Sequence, residues 1–451
     1  MRNWIYLVLS IAVFAYPSVS TAQSVLLSPS GNQTVTQPIS SGTRSTLGVN
    51  SLSNTYYVNQ WCSTPGMLDD SCFSNAIQDV QVNALYDPVF GRRMQVLIVS
   101  PGTYTFNHTV TIPLGINISI KGEYQSGIWG SVITSGSTPV DFFHVEADNV
   151  DIQHLSFFTH PSSTAVSAIT LGTTTQMTLD THINWCWFNG QQVAIHIVNG
   201  SGYDLSHNTF DSGTNYGIYS NASAGDISAN DIIANDLRGY MQISTVAIIG
   251  PTTPSSTYQG YTFSGIFDHS INNSAPISLN NVIGAKISGI FNNNNYLDIN
   301  LRGSSGIVVS DFHVYNPGQT SIYVSGSNGV QISNGTIYNS STLSPGMPTI
   351  SVNSSINTTV NNVTSIAAGK AYANVGLYVD AASSGSIIYG NNLNAQSGAA
   401  YSVLDATAGF TVPGQINASS VAAANGFTGT KTAGACTFTI VSGIITNVGG
   451  C

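Results

Sequence analysis

Three ten-residue segments share one pattern: VQISNGTIYN (330–339), IVVSDFHVYN (307–316) and YDLSHNTFDS (203–212). Each has an apolar residue at its third position and another five residues later, with Ser followed by Asn, Asp or His between them. Successive side chains of a strand point to opposite faces, and Asn and Asp favour turns. The pattern therefore predicts two short strands separated by a tight turn.

The segments belong to a longer repeat of about 22–28 residues, which is defined by two series of apolar anchors. The first series is Phe143, Ile169, Ile195, Ile218, Met241, Ile277, Ile299, Ile322, Ile350, Leu377 and Val403. The second series follows 9 to 11 residues later and comprises Ile152, Leu179, Leu205, Ile227, Ile287, Val309, Ile332, Val360 and Ile388. The 36-residue gap from Met241 to Ile277 predicts an inserted loop.

Three short strands per repeat, joined by turns rich in Gly, Asn and Ser, describe one coil of a parallel β-helix. Each coil buries its inward residues against its neighbours, so that the repeats form one continuous core. Leucine-rich repeats need leucine at fixed positions and a helical arm, and neither is present. The predicted fold is all-β: a single-stranded right-handed parallel β-helix of about 11–12 coils with a short N-terminal capping helix.

The composition indicates a neutral, amide- and hydroxyl-rich surface around a normal core. Charged residues make up 7% of the chain, against about 25% in typical globular proteins, while hydrophobic residues reach 42%. The net charge is −10 and no basic run occurs. Nucleic acid is therefore not an expected partner.

The chain begins like an exported protein. Arg2 precedes the apolar run 4–16, and Ser20-Thr21-Ala22 has the small-x-small form of a signal-peptidase site. This predicts a signal peptide over 1–22, a Ser/Thr-rich arm over 23–60, the β-helix over 61–410 and a C-terminal cap over 411–451. The run is too short for a comfortable membrane span, so a secreted, cell-surface or periplasmic protein is expected.

The five cysteines fit an oxidising compartment. The simplest pairings join Cys62 to Cys72 across a short loop, and Cys436 to Cys451 across a hairpin, CTFTIVSGIITNVGGC (436–451). Cys186 remains as a free thiol, for which a buried structural role is favoured over a reactive one.

The N-terminal part resembles the pectate-lyase-like right-handed β-helix superfamily. The matching residues are Asp69-Asp70, Ala76-Ile77-Gln78, Pro101-Gly102-Thr103-Tyr104 and Lys121-Gly122-Glu123. With the coils, the resemblance spans about residues 66–410. The segment LDDSCFSNAIQDVQVNAL (68–85) reads as the capping helix, with Phe73, Ile77, Val80 and Ala84 on one side.

The resemblance implies an enzyme that acts on polysaccharides, as a glycoside hydrolase or a polysaccharide lyase, or else a non-catalytic adhesin or glycan-binding protein. The aspartate motifs of polygalacturonases are missing from the strings TNYGIYS (214–220) and LRGYMQIS (237–244). The three-carboxylate calcium cluster of pectate lyases is not found either, so that no metal or other cofactor is predicted.

A polar and aromatic stripe is predicted on the outer face of the first strand series. One residue after each first anchor stand His144, Thr170, His196, Tyr219, Gln242, Ser278, Asn300, Tyr323, Ser351, Tyr378 and Leu404. Tyrosine rings stack on sugar rings, while amides and guanidinium groups bind hydroxyls and carboxylates. The predicted substrate-binding residues are Tyr219, Tyr323, Tyr378, His196, Asn300 and Gln242.

Charged residues near these strands are the catalytic candidates. Asp236 and Asp298 are predicted as acid/base groups, and Arg238 and Arg302 as ligands for anionic groups. Asp298 and Arg302 flank Asn300 and are expected to face outward with it. The remaining candidates are Asp211, Asp268 and His269. For each single aspartate, capping of turn amides is the competing interpretation.

Two questions stay open at this level. Trp185 and Trp187 could be sugar platforms or packing residues around Cys186. The expected partner is a polysaccharide, and both a monomer and a homotrimer fit the sequence.

Overall fold

The structure is a computed structural model. It describes residues 55–83, 86–87, 91–92, 94–123, 130–158, 167–211, 214, 216–220, 227–233, 236–237, 244–249, 258–268, 275–293, 297–344, 346–366, 375–393, 401–405, 421–423, 429–433, 436–441 and 444–449. The predicted signal peptide and nearly all of the predicted arm lie outside these residues.

The protein is a parallel β-helix, which confirms the predicted fold class. Sheet 1 contains thirteen parallel strands that follow one another in chain order. They are Val110–Ile112, Phe143–Val145, Ser167–Leu171, Val193–Ile197, Tyr216–Ser220, Ser244–Ile249, Ile277–Asn280, Ile299–Arg302, Ile322–Ser325, Ile350–Asn353, Val375–Val379, Tyr401–Asp405 and Val421–Ala423.

Sheet 2 has sixteen strands and holds the second anchors. They are Thr55–Tyr57, Gln95–Val99, Ile118–Gly122, Val150–Gln153, His182–Asn184, Asp204–Ser206, Ile227–Ile233, Asp236–Leu237, Tyr258–Ser264, Phe267–Asp268, Ile283–Asn293, Ser305–Tyr315, Gln331–Tyr338, Thr359–Ile366, Ile387–Tyr389 and Asn392–Leu393. Because Thr55–Tyr57 pairs with Val96–Ile98, the β-helix begins before residue 61, the boundary that the sequence predicts.

Sheet 3 is the third face of the N-terminal coils. Its five strands are Gly102–Phe106, Ser131–Ser135, Ser156–Phe158, Trp187–Asn189 and Thr209–Phe210. In later coils the long strands of sheet 2 bend and continue into this face. The bend falls at Asp311 and Asn334, whose φ angles are both 55°.

The remaining elements are short or lie near the ends. The helix Asp70–Asn83 follows a 3-10 turn at Val58–Gln60, and buries Phe73, Ile77 and Val80 as predicted. Ala84, the fourth residue predicted for this face, lies outside the described residues. Thr178–Leu179 pairs with Gly200–Ser201, and Tyr86–Asp87 with Gly91–Arg92. At the C-terminal end, Gly429–Ala433, Cys436–Val441 and Ile444–Gly449 form an antiparallel sheet that contains the predicted hairpin.

The ladder of sheet 1 corrects one first anchor. Ile218 pairs with Val246, which in turn pairs with Ile277. Val246 therefore occupies the position that the sequence analysis gives to Met241. The two predicted steps of 23 and 36 residues become steps of 28 and 31 residues, so that the extra length is shared by two coils.

The ladder of sheet 2 corrects two second anchors. Ile152 pairs with Ile183 rather than Leu179, which is 38% exposed in a separate two-stranded sheet. Ile232, which pairs with Phe263, takes the place predicted for Ile227. Both errors arise because another apolar residue, four or five positions before the true anchor, also fits the expected spacing.

The core is one continuous stack of apolar side chains. Phe73, Phe106, Phe143 and Phe157 pack edge to face near the helix, with ring centroids 5.2 to 6.2 Å apart. Farther along, isoleucine, valine and leucine anchors repeat from coil to coil. Burial of each such side chain contributes about 1.5–3 kcal/mol.

Two predictions about cysteine are confirmed. Cys62 and Cys72 form a disulfide that ties the start of the helix to the preceding loop. Cys186 is a buried free thiol, and burial raises its pKa to about 12. This thiol therefore stays protonated at neutral pH and belongs to the core. Cys451 lies outside the described residues, so that its pairing with Cys436 remains a prediction.

Candidate functional site

The outer face of sheet 1 carries one ladder of side chains in register. Its members with described side chains are Thr111, His144, Thr170, His196, Tyr219, Ala247, Ser278, Asn300, Tyr323, Ser351 and Tyr378. Adjacent rungs of a parallel sheet are about 4.8 Å apart. The ladder corrects one rung of the predicted stripe: Ala247, which is apolar and 4% exposed, occupies the position assigned to Gln242. Gln242 itself lies outside the described residues.

The first part of the ladder is an aromatic cluster around His196 and Tyr219. Their ring centroids are 5.5 Å apart, and the ring of Tyr216 lies 4.9 Å from that of Tyr219. Burial lowers the pKa of His196 below 6.5, and nearby Asp141 opposes this effect. Burial and Tyr216 raise the pKa of Tyr219 above 10. At neutral pH the pair is therefore a neutral imidazole beside a protonated phenol.

One side of this cluster is fixed by Asp141. Its carboxylate accepts hydrogen bonds from the Ser167 amide (2.8 Å) and from the Thr170 hydroxyl (2.9 Å), and Thr170 is the rung next to His196. Asp141 and Tyr216 are absent from the predicted site. Both lie two residues before a first anchor. Strict alternation would place a residue at this position on the inner face with the anchor, so that the sequence analysis did not include it.

The second part of the ladder surrounds Arg302. The Arg302 Nε donates to Asn300 Oδ1 at 3.2 Å, and Asn300 Nδ2 donates to the Ser278 hydroxyl at 3.3 Å. The guanidinium carbon lies 5.5 Å from the centroid of the Tyr323 ring. The exposed Arg302 is thus held over a half-buried tyrosine, a geometry in which it can bind a carboxylate on a ligand.

Asp298 departs from the prediction. Its side chain is fully buried (0% exposed), and it stands just before the strand Ile299–Arg302. The corresponding residues of other coils, Ser321, Thr349 and Ala194, are also buried. The chain turns at this point, so that two successive residues face inward. Asp298 therefore does not share the outer face of Asn300 and Arg302.

The other acidic candidates lie away from the sheet 1 ladder. Asp211 follows the sheet 3 strand Thr209–Phe210. Asp236 and Asp268 belong to two short paired strands of sheet 2. They are not register partners, because Asp236 pairs with Phe267 and Leu237 pairs with Asp268. Arg238 and His269 are outside the described residues. Asp211, Asp236 and Asp268 thus lie in or next to strands of sheets 2 and 3, whereas His196 and Arg302 lie in sheet 1.

No group of three or more His, Cys, Asp or Glu side chains within the described ranges is placed to hold a metal ion. No helix in the described part of the chain is long and apolar enough to cross a bilayer.

The fold and the ladder define the class: a β-helix protein with a long polar and aromatic surface on one parallel sheet. No known family profile matches the sequence, and no characterised protein is a significant relative.

Among solved structures, DFA-IIIase from Arthrobacter chlorophenolicus A6 in complex with GF2 is similar, with a TM-score of 0.53 and 14% identity over 74% of this chain and 94% of that one. The A-module of the mannuronan C-5 epimerase AlgE6 from Azotobacter vinelandii has a TM-score of 0.42 and 14% identity over 81% and 99%. The Dettilon tailspike protein has a TM-score of 0.42 and 12% identity over 78% and 68%. At 14% identity, the likeness to DFA-IIIase shows the fold alone.

Proposed function

We propose that the protein is an exported member of the pectate-lyase-like superfamily, which binds an extended anionic polysaccharide along sheet 1 and cleaves it. The observation that carries this proposal is the unbroken ladder from His196 to Tyr378. The enzyme DFA-IIIase, whose structure holds GF2, supports it through the shared fold. The signal-like N-terminus and the Cys62–Cys72 disulfide support export.

The spacing of the ladder suits a long ligand. Tyr219 and Tyr323 are four rungs apart, about 19 Å, and Tyr378 is two rungs farther, about 10 Å. Half-buried tyrosines at such intervals offer stacking faces for sugar rings, and Ser278 and Asn300 offer hydrogen bonds between them. Arg302 supplies a positive charge in the middle of this surface, which favours a polysaccharide that carries carboxylates.

The chemistry of His196 and Tyr219 favours β-elimination. Neutral His196 removes the proton on the carbon next to a uronate carboxylate, and the electron pair forms a carbon–carbon double bond as the glycosidic C–O bond breaks. The phenol of Tyr219 gives its proton to the departing oxygen. Acid–base groups of this kind typically accelerate a reaction by about 10²–10⁴-fold.

The test is incubation of the full chain with pectate, alginate, xylan and inulin. New reducing ends that appear together with the ultraviolet absorbance of an unsaturated uronate are expected from pectate or alginate. Reducing ends without this absorbance would show that the protein is a hydrolase and not a lyase. Binding without any product would show a non-catalytic glycan-binding protein. No binding to any member of the panel would overturn the proposal.

A further inference from the structure

A second surface, away from sheet 1, carries an unusual column of ring side chains. His154, Trp185 and His207 occupy successive rungs at the corner where sheet 2 turns toward sheet 3. Trp185 is 56% exposed, and His154 and His207 are exposed as well. The ring of Trp185 lies 6.3 Å from that of His154 and 4.3 Å from that of His207, with interplanar angles of 20° and 13°. The three rings form one stack, called here the corner stack.

The backbone at this corner is unfavourable for a large side chain such as that of Trp185. All three residues have positive φ, at 55°, 58° and 55°. In later coils the same column holds Gly, Asp or Asn: Gly265, Gly289, Asp311, Asn334, Asn362 and Gly390. A bulky residue in this region costs about 1–2 kcal/mol. Six described coils form this turn with a residue that has no ring. The turn itself therefore does not require the rings of His154, Trp185 and His207.

A surface pocket opens at one end of the corner stack. The rung beyond His154 is Gly122, which has no side chain, and a Cβ atom there would lie 2.0 Å from the His154 carbonyl oxygen. The pocket has a volume of about 590 Å³ and is lined by Ile98, Pro101, Lys121, Gly122, Glu123 and His154. The pocket therefore lies next to His154, on the side opposite Trp185, where a fourth ring would continue the stack.

The lining of the pocket indicates the ligand. The largely exposed ring of His154 lines the pocket, and its partial burial together with nearby Lys121 lowers its pKa, which keeps the ring neutral. The ammonium group of Lys121 can donate hydrogen bonds to a ligand and the carboxylate of Glu123 can accept them, and both side chains are exposed at the rim. A sugar ring carries hydroxyls that do both, whereas a uronate would meet the Glu123 carboxylate. Ile98 and Pro101 add apolar contact for the ring carbons.

We infer that the pocket beside His154 binds a neutral sugar residue, which continues the corner stack and is held between Lys121 and Glu123. It is a glycan-binding site separate from the sheet 1 ladder. The same polysaccharide or a second one can occupy it, and the inference does not depend on catalysis at sheet 1.

The test measures binding of cello-, xylo-, malto- and fructo-oligosaccharides to the full chain by saturation-transfer NMR and calorimetry. The background carries Tyr323→Ala, so that binding at sheet 1 is weakened. His154→Asn removes the stacking ring but keeps a residue that tolerates positive φ, and about tenfold weaker binding is expected. Glu123→Gln is expected to weaken binding by about the same factor.

His207→Asn is the matched control. It makes the same substitution on the same column, about 10 Å from His154 at the other end of the corner stack. Unchanged binding by His207→Asn supports the inference. Equal loss in both histidine variants, wild-type binding by His154→Asn, or no binding of any neutral oligosaccharide would overturn it. Binding of oligogalacturonate or adenosine in place of neutral sugars would also overturn it, because the ligand class would be wrong.

Discussion

His196 and Tyr219 are direct register partners on neighbouring strands of sheet 1, with ring centroids 5.5 Å apart. The same burial that lowers the pKa of the imidazole raises that of the phenol. A proton acceptor and a proton donor therefore stand side by side at neutral pH, 23 residues apart in sequence.

Tyr219→Phe tests the donor. The ring and its stacking contacts remain, while the hydroxyl is lost, so that kcat on pectate or alginate is expected to fall about 100-fold or more with little change in KM. Steady-state kinetics by ultraviolet absorbance measures this. Tyr216→Phe is the control, since Tyr216 contacts Tyr219 without being on the ladder. A small effect of Tyr219→Phe on kcat would exclude the phenol as the acid.

The pH dependence of stability tests the environment of His196. An unfolded histidine binds its proton near pH 6.5, and the folded protein binds it only at lower pH. Below about pH 6.5 the unfolded state therefore holds more protons, and stability falls as the pH decreases through this window. His196→Gln is expected to reduce the difference in thermal midpoint between about pH 7.5 and about pH 5.5. An unchanged difference would mean that the histidine is not desolvated.

Arg302→Gln tests the preference for anionic chains. The substitution removes the charge above Tyr323 and keeps a hydrogen-bonding side chain. Affinity for a uronate polysaccharide is expected to fall about tenfold or more, with little change for a neutral one. Binding isotherms at two salt concentrations measure this, because the lost contribution is the part that salt screens. Lys286→Gln, on sheet 2, is the control. Equal loss for neutral and anionic chains would contradict an anion-binding role.

Gly335→Ala tests how tightly the coils stack. A Cβ atom at Gly335 would lie 1.9 Å from Cζ of Phe312, its register partner. Overpacking of this kind destabilises by about 1–3 kcal/mol. A lower midpoint of thermal unfolding is expected, with partial recovery in the double variant with Phe312→Leu. Thr336→Ala, at the next residue, is expected to have little effect. Wild-type stability of Gly335→Ala would show that the coils can shift apart.

The pattern of the sequence was sufficient for the fold because a β-helix repeats local rules. Alternating apolar residues and Asn/Gly turns recur in each coil, and most first anchors, such as Ile195 and Ile322, were found at their true rungs. The ladder members Tyr219, Asn300 and Tyr323 followed directly from these anchors. The anchor was misplaced at Met241, where the coil has an unusual length, and Gln242 was misplaced with it.

Tertiary structure decided what local spacing does not encode. Strict alternation predicted an exposed Asp298, but the turn before its strand buries two successive residues. The contacts of Asp141 and the corner stack depend on which residue of one coil lies beside which residue of the next. That register is fixed by the packing of anchors such as Ile183 and Val246. By itself, the sequence determined the parallel β-helix and most of its sheet 1 stripe; the stacking of coils decided which side chains meet, because those contacts join residues more than twenty positions apart.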